Sequence, residues 1–262
     1  LLVQFWEDYS DREMEHAVRE NMAVRWFCGF SLTALTPDHS YFGKLRERVG
    51  TKKLADIFHQ VGQLLEQKGL VGKTFSFIDA SAIITKNALW QERDQAIKAG
   101  EEKLNNQNVD HYAADKEARW GAKGQDKFWF GYKRHNCVDM RCGIITRVCV
   151  TNASVLDYVV ISSVLPAAGM VFLDKLYDVA AAHLAIKAKG LADAVILKRN
   201  RKNKNRDLDR WRSGIRMPFE STFAKQEKRA RYRTTVKVTF QCFFEAIAHN
   251  LKKAVTLSPT PA

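Results

Sequence analysis

Proline and glycine are scarce in this sequence, 5 and 14 among 262 residues, which excludes collagen-like, mucin-like and largely disordered chains. Cys-x-x-Cys pairs are absent, and the five cysteines are an odd number, three of them (Cys137, Cys142 and Cys149) in one apolar stretch. A disulfide framework and a zinc knuckle are both excluded, and a reducing compartment is implied. No apolar run reaches the about 18 to 20 residues of a membrane span, and no signal-peptide pattern opens the chain. The expected location is the cytoplasm. The first residue is Leu1 rather than Met, so the chain reads as a piece of a longer frame.

Acids are in short supply, 29 against 42 Lys plus Arg, for a net charge of +13. The excess is localised. Residues 1–72 are balanced, with 10 acids and 9 bases, whereas residues 198–237 hold 15 bases against 4 acids. That block is interleaved with Trp211, Phe219, Phe223 and Tyr232. It reads as a phosphate-binding surface whose affinity falls steeply with salt. With 46% apolar residues the chain is long enough to bury a sizeable core.

Between Arg12 and Leu70 apolar residues recur at helical spacing: Met14, Val18 and Met22, then Leu54, Ile57, Val61 and Leu65. The break at Leu35-Thr36-Pro37-Asp38-His39-Ser40 predicts a turn and a helix capped by Asp38 or Ser40. The pattern then changes. Strands are expected at Thr74–Asp79, Phe128–His135 and Ile144–Thr151, the last two as an antiparallel meander. Helix at Asp157–Leu165, strand at Met170–Leu173, helix at Val179–Lys189 and strand at Ala194–Leu197 complete the order β, β, β, α, β, α, β. Residues 85–127 are polar and broken and read as an insertion, with Gln91–Leu104 helix-compatible. Helical periodicity returns at Phe219–Arg229 and Val236–Val255.

Two acids stand where surface acids seldom do. Asp79 closes Phe75-Ser76-Phe77-Ile78 and Asp174 closes Met170-Val171-Phe172-Leu173. Taken singly, each is an ordinary helix cap or turn acid. As ends of neighbouring strands their charges repel, by about 4 kcal/mol at 4 Å with an effective dielectric of 20. A divalent ion relieves that repulsion, and Mg²⁺ favours carboxylates together with substrate phosphate oxygens. Glu220, Glu227 and Glu245 are candidates for a third acid. Glu220 is preferred because it follows Phe219 near a helix start inside the basic block.

These residues resemble the DDE transposases of bacterial insertion sequences, of the family-five type and close to family four. Phe77-Ile78-Asp79-Ala80-Ser81 is similar to the segment with the first catalytic Asp, and Phe130-Gly131-Tyr132-Lys133-Arg134-His135 to the following strand. Asp174-Lys175-Leu176-Tyr177-Asp178 resembles the block with the second Asp. Arg216, Glu220 and Phe223, then Arg231-Tyr232-Arg233 and Asn250-Leu251-Lys252-Lys253, resemble the block with the final Glu and its helix. Leu176 stands where the family commonly has Gly. Ser213 and Glu227 replace the usual Tyr and Lys, with Lys225 and Lys228 close by.

The resemblance implies an α/β, ribonuclease H-like (retroviral-integrase-like) mixed sheet flanked by helices and preceded by an N-terminal helical region. The expected division is a DNA-binding or dimerisation region at 1–70, a catalytic domain at 71–255 with the insertion at about 85–127, and a tail at 256–262. It further implies that Asp79, Asp174 and Glu220 hold two Mg²⁺ ions, Mn²⁺ being able to substitute. DNA cleavage at transposon ends and strand transfer follow. The implied partner is double-stranded DNA, terminal inverted repeats and target alike, bound by a homodimer or larger assembly near the bacterial nucleoid. Phosphate contacts are expected from Lys198, Arg199, Arg201, Lys202, Lys204, Arg216, Lys225 and Lys228, with Lys133 and His135 near the metals. For His135 the competing reading is a histidine satisfied against its own sheet. The rival functions are a catalytically inactive DNA-binding remnant of a transposase and a basic RNA-binding protein.

Overall fold

The computed structural model describes residues 1–86, 98–100, 105–124, 127–202, 204–224 and 226–257. The first section is helical: α1 (Leu2–Trp6), α2 (Asp11–Glu20), α3 (Met22–Phe27) and α4 (His39–Gln67). A reciprocal cap starts α2, Glu13 N–H donating to Ser10 Oγ and Ser10 N–H to the Glu13 carboxylate. Met14 and Val18, one turn apart, are the face it buries. Asp38 caps α4 by accepting from Ser40 N–H. Gly50, at φ +67, breaks α4 into two segments, and the second buries Leu54, Phe58 and Leu65.

The described residues form a six-stranded sheet of β1 (Phe75–Ile84), β2 (Arg119–Lys123), β3 (Lys127–Asp139), β4 (Ile144–Asn152), β5 (Met170–Leu173) and β6 (Ala192–Val195). β3 lies antiparallel to β1 on one edge, and on the other it pairs with β2 near its start and β4 along the rest. β5 and β6 follow in parallel on the far side of β1. The order β4-β3-β1-β5-β6 is the ribonuclease H-like mixed sheet; β2 is an addition along the β3 edge. The further helices among the described residues are α5 (Val109–Tyr112), α6 (Ile161–Val164), α7 (Ala180–Ala188), α8 (Arg206–Ala224) and α9 (Thr235–Leu257). Single 3₁₀ turns at Asp157–Val160 and Lys175–Tyr177 precede α6 and α7.

Alternation along the central strands feeds both faces, which therefore need cover on both sides. Ile78, Val171, Leu173 and Tyr177 pack with α6 and α7. Phe77 and Phe172 pack with Phe58 of α4, Phe223 of α8, and Phe240 and Phe244 of α9. Asn250 of α9 pins that helix to β4 by exchanging two hydrogen bonds with the Ile145 backbone. Gly169 fixes the start of β5: a Cβ there would lie 2.2 Å from the Lys73 carbonyl oxygen, at φ +94. Only glycine lets the chain approach β1 so closely.

Several boundaries differ from expectation. β1 continues five residues past Asp79, because Ala80 to Ile84 keep pairing with β3. β2 inside the insertion is a strand the polar pattern hid, and β6 begins two residues earlier than expected. Asp157–Leu165 is a 3₁₀ turn followed by one helical turn. α8 starts at Arg206, not Phe219. α9 runs to Leu257, into the segment expected as a tail. The stretch Gln91–Leu104 lies outside the described residues apart from 98–100. Among the described residues no helix is long and apolar enough to cross a membrane.

Candidate active site

The parallel register of β1 and β5 pairs Phe77 with Phe172, and two residues further along each chain stand Asp79 and Asp174. β5 stops at Leu173 while β1 goes on, so Asp79 sits in mid-strand beside an open edge. Asp79 accepts from Ala80 N–H at 2.8 Å. Asp174 caps the 3₁₀ turn by accepting from Leu176 N–H at 2.8 Å. Burial pushes the Asp79 carboxyl up to about 6; the Asp174 charge adds to this, while Arg216 and Lys123 oppose it. Asp174 is raised chiefly by burial, with Leu176 N–H and Arg216 opposing and Asp157 adding. The Asp174 charge beside the buried Asp79 carboxyl is a repulsion that a cation would relieve.

Above them lies α8. Arg216, Glu220 and Phe223 share one stripe of this helix, at spacings of four and three. Phe223 meets the Phe77 ring edge-on at 5.2 Å, and the Arg216 guanidinium lies 5.0 Å over the same ring. The stripe therefore faces β1, but the half-exposed Glu220 carboxylate accepts from Arg216 Nη2 at 3.2 Å. Nε and Nη1 of Arg216 are buried without a hydrogen-bond partner. Among the described residues no three His, Cys, Asp or Glu side chains are close enough to hold a metal ion. The structure brings Asp79 and Asp174 together and leaves Glu220 on Arg216, the cation that bears on both aspartates. The donor set fits a hard divalent ion, since it consists of carboxylate oxygens in a mutually repulsive pair. The other two acids are committed elsewhere. Glu245 accepts from buried Arg134 and from Gln241, and Glu227 accepts from its own Lys228 and Arg229 amides.

Lys133 and His135, expected at the DNA strand, are turned inward by the alternation of β3. Lys133 Nζ donates to Asp157 and to the Val155 carbonyl. His135 is fully buried, with Nε2 3.0 Å from Thr151 Oγ1. Burial pushes its imidazole down to about 4. The neutral ring is thus favoured by folding, so its stability contribution is whole above the unfolded value of about 6.5 and is lost as pH falls toward 4. The expected loss is roughly 3 kcal/mol. His135→Gln should flatten this part of the profile, as read from urea midpoints between pH 7.5 and 4.5; an unchanged slope would contradict the placement.

Within the basic block many charges are already paired. Arg201 grips Asp178, Lys204 and Arg212 meet Asp209, and Arg216 meets Glu220. Lys198 is half-buried, whereas Arg199, Lys202, Arg206 and Lys228 are exposed. Lys225 lies outside the described residues. Three neighbours of the aspartates escaped the sequence reading. Lys123 of β2 and Asp157 act on the pair from distant segments with no sequence signal. Tyr177 belongs to the Asp174 block itself; its hydroxyl is buried, without a partner, in the field of Asp157, Asp79 and Asp174.

Comparison with known families gives two matches. A family model described as Transposase domain (DUF772) matches residues 1–48, and one described as Transposase DDE domain matches residues 72–251. No curated protein and no solved structure matches the chain. The second match covers well over half of the sequence, and the sheet order agrees with it. By this measure the chain belongs to the transposase DDE domain family, and is a transposase of ribonuclease H-like fold.

Proposed function

We propose that this chain is a bacterial insertion-sequence transposase of the family-five type, close to family four, that nicks DNA at transposon ends and transfers the freed strand to target DNA. The observation that carries the reading is the register that sets Asp79 beside Asp174 in a part-buried setting. Asp79, Asp174 and Glu220 would hold two Mg²⁺ ions, or Mn²⁺ in their place. Bound divalent ions supply Lewis acidity and charge compensation for in-line displacement.

The side chains do the positioning. Asp79, fixed by β1 and β3, and Asp174, fixed by its own turn, orient the attacking and leaving oxygens. Glu220 joins them by leaving Arg216, whose two unpartnered donors then suit a phosphate. A water oxygen attacks phosphorus at the transposon end and forms a P–O bond, giving up a proton, as the bond from phosphorus to the 3′ oxygen breaks; that oxygen takes up a proton and departs as a hydroxyl. The same hydroxyl then attacks a target phosphodiester, forming one P–O bond as another breaks. No covalent bond to the protein is needed.

Half-buried Lys198 and the exposed Arg199, Lys202 and Arg206 hold the duplex, sequence-independently and with strong salt dependence. Changing Lys198, Arg199, Lys202 and Arg206 together to Gln should make the plot of log affinity against log salt shallower by about 3 to 4 units, at about 0.9 per phosphate. An unchanged slope would remove this surface from the account. The Arg216–Glu220 pair also favours a second reading, a DNA-binding remnant without nicking activity. Retained duplex binding with neither nicking nor a thermal shift on adding Mg²⁺ or Mn²⁺ would establish it.

A further inference from the structure

The side chain of Asp178 is buried, and the segment it meets opens the most basic part of the protein. Its carboxylate gathers donors from two segments. Lys198 N–H donates to Oδ2 at 2.8 Å, and Arg201 donates through Nη2 to Oδ1 at 2.7 Å and through Nε to Oδ2 at 3.0 Å. His183 Nε2 lies 3.0 Å from Oδ1, and its Nδ1 lies 2.5 Å from Asp193. The segment from Lys198 to Lys202 is thereby fastened at two points, through the backbone of one residue and the side chain of another. Arg199 and Lys202 are left exposed on it. Lys204 closes the segment by donating to the Leu197 carbonyl.

Asp178 also ends the 3₁₀ turn that Asp174 begins. One turn of chain therefore carries a candidate metal ligand at its first end and the anchor of the basic segment at its last. We propose that Asp178 is a positioning residue for DNA binding, holding residues 198–202 so that Arg199 and Lys202 face the phosphates entering beside Asp174. This rests on the reading of the basic block as the DNA surface.

By Coulomb's law alone, removing a carboxylate from a surface that meets a polyanion tightens binding. The positioning role reverses that sign. Asn keeps the shape of Asp178 but sets an amide beside the Arg201 guanidinium and gives up the charge-assisted two-pronged contact. In the full chain, Asp178→Asn is expected to weaken binding to a fluorescent duplex at least about tenfold at low salt. Trypsin should cut faster between residues 198 and 202, with far-ultraviolet dichroism unchanged. Binding as tight as the parent or tighter overturns the proposal.

Should Asp178→Asn fail to fold, Arg201→Lys decides, since it keeps the charge and loses only the planar fork. Weaker binding supports the positioning role, and parental binding overturns it. The quadruple Gln variant separates the two layers. If it binds duplex like the parent, the DNA surface itself is wrong; if it binds weakly while Asp178→Asn does not, only the positioning role fails.

Discussion

Asp79→Asn and Asp174→Asn are each expected to lower nicking of an end-containing duplex by at least about a thousandfold while leaving salt-sensitive binding in place. Asn matches Asp in shape, so the strand register and the cap at Leu176 survive in either variant. What goes is one negative charge from a pair whose shared field favours a cation. Glu220→Gln is expected to have the same effect, by a different route. Its carboxylate starts on Arg216 and has to turn toward the aspartates. If Glu220→Gln nicks at the parental rate while both Asn variants are dead, the third acid is another residue. Asp157, whose charge already reaches Asp174, is then the first to test. Full nicking by either Asn variant would refute the pair itself.

The second large effect is on stability. Glu245→Ala leaves the Arg134 guanidinium, 1% exposed, without its 2.5 Å partner, and an uncompensated buried charge costs about 3 to 5 kcal/mol. The loss should appear as a lower urea midpoint with an unchanged slope. Gln241 loses one of its two acceptors as well, keeping only the Arg229 carbonyl. Replacing Arg134 by Met together with Glu245 by Leu should recover much of the loss, since no charge remains buried. The test also separates roles. Nicking per folded molecule should match the parent in Glu245→Ala, because this acid belongs to the packing of α9 on β3. A dead but stable Glu245→Ala would move it into the site.

The difference between those two acids marks what the sequence could show. That Asp79 and Asp174 stand on neighbouring strands was legible because each follows an apolar run, and two buried strands of similar make-up tend to pair. Their exposure was not: β1 runs on through Ala80-Ser81-Ala82, small residues that carry no alternation, so Asp79 lies in mid-strand. α8 was hidden by Gly214 and Pro218 in its middle and by a charge block that reads as loop. The pairing of Arg201 with Asp178 was out of reach, since the two stand 23 residues apart and ion pairs across such distances leave no period. The competing form of His135 is met only in part: Nε2 reaches Thr151 against the sheet, while Nδ1 is buried without a hydrogen-bond partner. The alternation of β3 puts it against the sheet, and its setting among buried neighbours leaves no path to DNA.

Anomalous diffraction from crystals grown with Mn²⁺ addresses the metal site directly. The account predicts peaks bonded to the Asp79 and Asp174 carboxylates, with Glu220 swung off Arg216 to join them. Peaks only at other acids, or none in a protein that still nicks DNA, would contradict it.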